Sequence, residues 1–410
     1  MSSGLLVLVS FFLGAVVLQQ PTTLAIAQQD YPSDSKCPTG FANFGDSLTD
    51  TGNALNAFPF FSDAELPPYG ETFFGGPAKR FSDGRVVPDF FSLAFRKPLL
   101  DGYFTPTVFN FRHGANFAVA GATAAFSRTA ITPFSLTPFQ TAQFIRLINS
   151  FKTQQQKEVN ADNLPSGDPY PDWLFTIEAG GDDLLNGLQA LLPPTTMMSS
   201  VIPQAVGNIS MAIETLYAHS ARKFLVFNIP PQGCSTVILT RMEVLGLPKD
   251  KLGCIIPVND LISAFNTGLN QTIQGLRQKL TNATISFFDY YSANMEILEN
   301  PSSYGFNPDL IFTACCGAPG MGSLNYNPVV TCGHPGKGSN NCANPEEYVI
   351  WDGVHFTESF YRTIAKFALN GEFTDEGVNY TAVCDPDFSK FGPEVTLSEA
   401  YPSGLSDLFD

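Results

Sequence analysis

Short apolar runs alternate along the chain with stretches whose apolar residues recur at helical spacing. Such runs, bounded by turn-forming residues, are typical of strands in a parallel sheet, and the helical stretches between them are typical of crossover helices. The pattern therefore predicts an α/β fold with a central parallel sheet. The predicted strands are residues 40–44, 115–119, 174–177, 224–227, 285–288 and 348–351.

The clearest helical segment starts at Thr137. Pro138 takes the first helical position and Gln140 lies three residues after the cap, which predicts a capping box. Three apolar residues that we expect to face the core follow at helical spacing: Phe144, Ile148 and Phe151. A second helix is predicted from Thr357 to about residue 369, because Glu358 in its first turn suits the helix dipole.

The two ends of the chain differ from its middle. Residues 1–27 have no charged side chain, contain an apolar stretch at 5–18 and end in a small-x-small pattern, which predicts a signal peptide. A membrane anchor is the alternative, but the stretch is shorter than the ~20 residues that cross a bilayer. Residues 28–383 form the predicted folded domain. Residues 384–410 are predicted to be a tail that wraps the surface or is partly disordered.

The composition limits the classes of partner. The 410 residues are 44 % hydrophobic, which is enough for one large domain or two small ones. The net charge of −16 argues against nucleic acid and anionic membranes as partners. No later apolar segment is long enough to span a membrane, so we expect no stable membrane insertion. The oligomeric state stays open.

Cysteines and sequons indicate the secretory pathway. Disulfides are expected, with their connectivity open, because the number of cysteines after the predicted cleavage site is even. No C-x-x-C pair suggests a metal site, and we predict none. The cysteines are Cys37, Cys234, Cys254, Cys315, Cys316, Cys332, Cys342 and Cys384. The predicted N-glycosylation sites are Asn208, Asn270, Asn282 and Asn379. We therefore expect a secreted, extracellular or apoplastic protein, with the vacuole as the other destination.

Histidine is the usual base for a serine nucleophile, and the chain has only four. His113, His219 and His334 lie in contexts typical of turn, surface or packing residues. His355 differs because Asp352 lies three residues earlier, directly after an apolar run. A carboxylate at that spacing can fix the imidazole tautomer and stabilise the imidazolium. By itself, the Asp-x-x-His spacing also suits a solvated loop pair.

The nucleophile candidate is Ser47. It follows the first predicted strand in the segment Gly45-Asp46-Ser47-Leu48, and the carboxyl ends of parallel strands face the crevice where open α/β folds bind ligands. The Gly-x-Ser-x-Gly signature of other hydrolases is not satisfied, because position 49 is Thr. Taken alone, the segment could equally be a capped turn.

Several segments together resemble the GDSL, or SGNH-type, esterase/lipase family, particularly its plant-type branch. Gly45-Asp46-Ser47-Leu48 is similar to the first block of the family, and residues 351–358, WDGVHFTE, are similar to its last. Segments 80–85, 116–122, 230–234 and 315–317 resemble family segments in the same order. The resemblance extends from about residue 40 to residue 369.

The resemblance implies a three-layer α/β/α, flavodoxin-like fold with a Ser47-Asp352-His355 triad and no metal or organic cofactor. It also implies an oxyanion hole formed by the Ser47 N–H, a glycine assigned here to Gly121, and the third-block position 182. The implied reaction is cleavage of a small-molecule or lipid ester through an acyl-enzyme.

Position 182 departs from the family pattern. The third block should read Gly-x-Asn-Asp, but residues 180–183 read GGDD, with Asp182 in place of the donor asparagine. An ionised carboxylate only accepts hydrogen bonds and would repel the oxyanion. Three alternatives follow: Asp182 is protonated and donates, another group replaces it, or hydrolysis is slow.

Two other functions are compatible with the sequence. The acyl group can pass to an alcohol, which would make the protein an acyltransferase. A non-enzymatic secreted defence or cell-wall glycoprotein that keeps the fold is the second alternative. Asp182 favours the hypothesis of a non-enzymatic glycoprotein, whereas an intact set of Ser47, Asp352 and His355 argues against it. The sequence does not identify the ester.

Overall fold

The computed structural model describes residues 37–400 except 59–61, 107–109, 128–131, 157–163, 166–167, 321, 323, 335–337 and 376–378. The predicted signal peptide, residues 1–27, lies outside the described residues. Residues 401–410 of the predicted tail lie outside them too.

Eight strands form two sheets within the described residues. They are β1 (Phe41–Gly45), β2 (Gly114–Asn116), β3 (Leu174–Glu178), β4 (Lys223–Phe227), β5 (Thr284–Phe288), β6 (Cys316–Gly317), β7 (Asn340–Asn341) and β8 (Thr374–Asp375). The main sheet has the order β2-β1-β3-β4-β5-β8; β1 to β5 are parallel and β8 is antiparallel to β5. The strands β6 and β7 pair separately. The predicted α/β fold with a parallel sheet is confirmed.

One predicted strand is wrong. Residues 348–351 belong to no strand of either sheet, and Ile350 forms only isolated bridges to Ala314 and Phe356. The chain reverses immediately afterwards, so that the Trp351 N–H donates to the His355 carbonyl at 2.8 Å. This run is apolar because it is buried in the core, with Val349 fully enclosed.

Thirteen helices lie among the described residues. They are α1 (Asn53–Ala57), α2 (Glu71–Phe74), α3 (Val87–Ala94), α4 (Phe139–Gln156), α5 (Gly181–Gln189), α6 (Pro194–Thr196), α7 (Ile202–Ala218), α8 (Thr236–Arg241), α9 (Ile256–Lys279), α10 (Tyr290–Glu299), α11 (Glu358–Asn370), α12 (Tyr380–Cys384) and α13 (Leu397–Ala400). A π-helical turn, Met197–Val201, joins α6 to α7.

The two helix predictions have different outcomes. The α11 prediction is confirmed, and the Thr357 side chain accepts from the Phe360 N–H at its N-terminus. The capping box at Thr137 is wrong. The helix α4 begins at Phe139, and Gln140 forms no cap because both ends of its amide bond Gly45 in β1.

The main sheet separates two apolar clusters. Side chains that alternate along each strand divide between them: Phe44, Phe175 and Val226 lie in one cluster with residues of α4, α7 and α9. Leu174 and Leu225 lie in the other with residues of α3, α10 and α11. This alternation follows from the two-residue period of a strand, and it produces helical layers on both faces of the sheet.

All eight cysteines pair, so the disulfide prediction is confirmed. The bonds are Cys37–Cys384, Cys234–Cys254, Cys315–Cys342 and Cys316–Cys332. Residues 385–400, assigned to the tail, continue past the first of these bonds. Phe391 in this segment is buried, and the Arg85 guanidinium donates to the carbonyls of Lys390 and Gly392.

Candidate active site

The turn after β1 presents Ser47. Gly45 is required there because a Cβ at this position would lie 2.2 Å from the Glu178 carbonyl oxygen on β3. The Asp46 carboxylate accepts from the Leu48 N–H at 3.1 Å, and the Asp46 carbonyl accepts from the Thr49 N–H at 3.3 Å. These bonds close a tight turn and leave Ser47 half-buried at the carboxyl edge of the sheet.

Gln140 braces this turn from α4. Its Oε1 accepts from the Gly45 N–H at 3.0 Å and its Nε2 donates to the Gly45 carbonyl at 2.8 Å. The side chain is fully buried. Sequence reasoning assigned Gln140 to a helix cap and missed this role, because the two residues lie 95 positions apart.

A buried amide network supports the same turn from below. Asn116 Nδ2 donates to the Thr49 carbonyl at 2.7 Å, and Asn43 Nδ2 donates to Asn116 Oδ1 at 2.9 Å. Asp50 accepts from four backbone N–H groups, including that of Ala120. A turn held by fully bonded buried polar groups is rigid, so the position of Ser47 is fixed. The only sequence signal for this network is the polar residues inside apolar strands.

Asp352 and His355 form a bonded pair. His355 Nδ1 lies 2.7 Å from Asp352 Oδ2, while Asp352 Oδ1 accepts from the N–H groups of Val354 and His355. Burial would raise the pKa of Asp352, but the charge of His355 and these hydrogen bonds lower it to about 2. Asp352 is therefore ionised, and a carboxylate on Nδ1 leaves Nε2 as the nitrogen that can accept a proton.

Two aromatic residues that sequence reasoning missed contact this pair. The Tyr69 hydroxyl donates to Asp352 Oδ2 at 2.8 Å, and the Phe81 ring lies 5.0 Å from the His355 ring, centre to centre. Both come from a segment that is far from residue 352 in the chain. The separation of 283 residues between Tyr69 and Asp352 explains why no local pattern shows the contact.

Ser47 lines a cleft together with Asp182, Val354 and Phe356, and the last two residues flank His355 in the chain. Ser47 and His355 form no hydrogen bond with each other in the described structure. Catalytic hydrogen bonds are often open before substrate binds. The turn that carries the predicted base thus borders the cleft that contains the predicted nucleophile.

The cleft has mostly apolar walls. Its apolar walls include Leu48, Leu185, Pro230, Val237, Leu298, Ile350 and Phe356. The polar side chains on it include Gln232 and Asn294. An apolar cleft with a few polar groups suits a small organic ligand.

Asp182 occupies the second position of α5 and lines the cleft. Its Oδ2 is enclosed and accepts no hydrogen bond within the described residues. Burial and the charges of Asp46 and Asp183 raise its pKa well above the usual value, against the opposing charge of His355. The protonated form is therefore favoured, and a protonated carboxyl can donate a hydrogen bond.

A second pair of carboxyl groups lies behind Ser47. Asp46 and Glu178 are close enough for their charges to interact, and neither carboxylate oxygen of Glu178 has a hydrogen-bond partner within the described residues. Two neighbouring carboxyls do not both ionise readily in a buried site. Burial and the charge of Asp182 raise the pKa of Glu178 to about 7, although its interaction with Asp46 acts against the shift. Burial and the charge of Glu178 raise the pKa of Asp46 as well.

Gly121, the predicted second donor, does not line the cleft that contains Ser47 and Asp182. It lies in a turn with φ of +77°, a conformation that favours glycine. Its N–H donates to none of the described residues. Asp183 links this turn to α5, because it accepts from the Ala124 N–H at 2.6 Å. The turn with Gly121 and the helix with Asp182, which are predicted to carry two of the oxyanion donors, are thus joined by a hydrogen bond.

The remaining candidates lie away from the pair. The His113 carbonyl accepts from the Phe41 N–H, and His219 Nδ1 bonds the Thr215 carbonyl at the end of α7. Of the predicted glycosylation sites, Asn282 and Asn379 are exposed, and Asn208 and Asn270 are half-buried.

In the described part of the chain, no cluster of His, Cys, Asp and Glu is arranged to hold a metal. None of the helices described there combines the length and the apolar character of a membrane span.

Comparisons with known proteins identify the family of the chain. A family profile described as GDSL-like lipase/acylhydrolase matches residues 41–368. The GDSL esterase/lipase At4g01130 of Arabidopsis thaliana is 33 % identical over 368 residues, which cover 87 % of this chain and 94 % of the relative. The GDSL esterase/lipase ENOD8 of Medicago truncatula is 32 % identical over 89 % of this chain and 92 % of its own. Alpha-L-fucosidase 3 of Arabidopsis thaliana is 34 % identical over 77 % and 86 %.

Proposed function

Because the chain belongs to the GDSL-like lipase/acylhydrolase family, it is a carboxylic ester hydrolase, and we propose that it acts through an acyl-enzyme on Ser47. The observation that carries the proposal is the bonded Asp352–His355 pair, which flanks the same cleft as Ser47. Substrates in this family are small-molecule esters. The apolar walls of the cleft favour an ester with an apolar acyl group.

The proposed reaction has two halves. Ser47 Oγ attacks the ester carbonyl carbon while His355 Nε2 takes the hydroxyl proton, and Asp352 stabilises the imidazolium. The tetrahedral intermediate collapses, and His355 returns the proton to the leaving alcohol. Water then attacks the acyl-enzyme with His355 again as base, which releases the acid and restores Ser47.

Three donors would stabilise the oxyanion: the N–H groups of Ser47 and Gly121 and the protonated carboxyl of Asp182. Asp183 holds the Gly121 turn against α5, and Gln232 Nε2 donates to the Gly181 carbonyl at 2.8 Å. These bonds support a preorganised set of donors, which is the largest single contribution to many hydrolytic rates.

Exchange of Asp182 for Asn should raise ester hydrolysis at neutral pH. A carboxyl with a raised pKa donates below that pKa and repels the oxyanion above it, whereas an amide donates at every pH. The ratio of variant to wild-type kcat should therefore grow as pH rises, to about 10²–10³ where Asp182 is ionised. Steady-state kinetics of both proteins from pH 5 to 9 measure this ratio of kcat values.

The control for this variant is Asp172→Asn, which changes an exposed carboxyl whose partner is Lys223. It should leave the pH profile unchanged. A ratio for Asp182→Asn that is constant with pH, or a kcat below that of wild type at the alkaline end of the range, would show that Asp182 is not an oxyanion donor.

A fluorophosphonate probe tests the proposed nucleophile directly. Wild-type protein should be labelled on Ser47, and Ser47→Ala should remain unlabelled, while Ser235→Ala, which alters another serine on the cleft, should be labelled like wild type. Equal absence of label in all three proteins would favour the non-enzymatic glycoprotein. A panel of p-nitrophenyl esters of increasing acyl length then defines the acyl group.

The acyltransferase alternative shares every step up to the acyl-enzyme. Product analysis with and without an alcohol acceptor separates the two reactions, because a transferase forms the new ester in preference to the free acid. Hydrolysis is the proposed outcome.

Alpha-L-fucosidase activity is the second candidate, because one relative carries that name and Asp182 is a carboxyl on the cleft whose pKa is raised by burial. A glycosidase also needs a second, available carboxylate. Asp46, another carboxyl group on the cleft, is buried, has a raised pKa and already accepts from the Leu48 N–H. We therefore expect no hydrolysis of p-nitrophenyl α-L-fucoside.

We further propose that the protein is secreted and glycosylated. Its four disulfides are compatible with an oxidising compartment. The exposure of Asn282 and Asn379 would allow transfer of a glycan. Treatment of the plant-expressed protein with an N-glycosidase, followed by mass measurement and N-terminal sequencing, tests both the glycans and cleavage after residue 27.

A further inference from the structure

The Asp352 carboxylate accepts hydrogen bonds from more donors than a catalytic dyad requires. Its Oδ1 accepts from two backbone N–H groups, and its Oδ2 accepts from His355 Nδ1 at 2.7 Å and from the Tyr69 hydroxyl at 2.8 Å. Tyr69 is 4 % exposed, so its bond is shielded from water. The oxygen that holds the imidazole is therefore shared between two donors.

The segment that carries Tyr69 is fastened to the turn that carries His355. Ser82 Oγ donates to the Phe356 carbonyl at 3.1 Å, and the Asp83 carboxylate accepts from the Glu358 N–H at 2.7 Å. Within the segment, the Gly70 N–H donates to the Ser82 carbonyl at 3.0 Å. The segment that carries Tyr69 is consequently held by hydrogen bonds to the backbone directly after His355.

A second donor withdraws negative charge from a carboxylate oxygen. The oxygen then stabilises a neighbouring imidazolium less, because the charge is partly compensated. The donor also fixes the carboxylate plane relative to the imidazole. Both effects act on His355 through Asp352, since Tyr69 does not touch the reacting atoms.

We propose that Tyr69 is a positioning residue that limits how strongly Asp352 holds a proton on His355, and so sets the lowest pH at which His355 acts as a base. The inference rests on the proposed function for its catalytic consequence only. Its effect on the Asp352–His355 pair exists in the resting protein and is measurable without substrate.

Other titratable groups also face the pair. Asp182 on α5 interacts with the charge of His355, and Tyr326 and Tyr361 interact with the charge of Asp352. Among these tyrosines, Tyr69 is the one with a hydroxyl bond to Asp352 in the described structure. Exchange of Tyr69 for Phe removes one oxygen and keeps the ring that packs edge-on against Trp351.

The test is an NMR titration of the four histidines, with ¹³C in the imidazole rings and the His355 signal assigned from the His355→Gln protein. In Tyr69→Phe the titration midpoint of His355 should rise by up to about one pH unit, because a hydrogen bond to a charged group changes an equilibrium up to about tenfold. Tyr170→Phe, another buried tyrosine, is the matched control and should shift nothing.

Fluorophosphonate labelling at each pH provides the functional arm. As the pH is lowered, the labelling rate of Tyr69→Phe should begin to fall at a higher pH than the labelling rate of wild type. An unchanged His355 midpoint with normal folding would overturn the role of Tyr69. A shifted midpoint in a protein that takes up no probe would support Tyr69 and overturn the proposed function instead.

Discussion

Replacing His355 with Gln should lower kcat for ester hydrolysis by roughly 10⁵–10⁶-fold while the protein stays folded. His355 is the histidine whose chain neighbours line the described cleft, and without proton removal the Ser47 hydroxyl is a weak nucleophile. The Gln amide can still donate to Asp352, and it has no titrating ring. Initial rates on a p-nitrophenyl ester, with unfolding curves for both proteins, measure the effect.

The double variant Ser47→Ala/His355→Gln sharpens the result. Nucleophile and base act as one unit, so the double change should cost no more than the His355 change alone. His219→Gln, at the end of α7, is the matched control and should retain full activity. A His355→Gln enzyme with more than about a tenth of wild-type kcat would reject the triad.

Exchange of Glu358 for Ala should destabilise the protein by about 3–5 kcal/mol. The Arg85 and Glu358 side chains are fully buried and 2.5 Å apart, and the Glu358 carboxylate also accepts from the Arg85 N–H. Removal of the carboxylate leaves an uncompensated buried charge. The guanidinium also lies over the Phe73 and Phe90 rings, so it cannot move into solvent without loss of packing.

Urea unfolding measures this loss, and Glu243→Ala provides the comparison. The Glu243–Lys249 pair is solvent-exposed, so its removal should change the free energy of unfolding by less than about 1 kcal/mol. If Glu358→Ala does not fold, Glu358→Gln keeps an acceptor for Arg85 and should show a smaller loss. Equal stability of the Glu358 and Glu243 variants would contradict a structural role for the buried pair.

The sequence was sufficient for the parts of the site that depend on local pattern. Apolar runs located five of the strands, and the turns after them brought Ser47 and Asp182 to one sheet edge. The strand predicted at residues 348–351 was wrong because an apolar run indicates burial, and a buried loop is as apolar as a strand.

Contacts between distant segments were not predictable. Gln140 has the spacing of a capping residue, yet its amide is used by Gly45, because satisfying buried backbone groups of a strand outweighs a helix cap. Tyr69 carries no motif that points to Asp352. The protonation of Asp182 depends on Asp46 and Asp183, whose proximity only the folded chain establishes.

The Cys37–Cys384 bond joins residues 347 positions apart, so the backbone between them is a closed loop that contains the whole main sheet. A single proteolytic cut beside Leu191, whose side chain is 67 % exposed, would open this loop without releasing a fragment. The two pieces would separate only under reducing conditions. In the chain-entropy description, so long a loop restricts the unfolded chain by about 6 kcal/mol, which a nick would abolish while every native contact stayed in place.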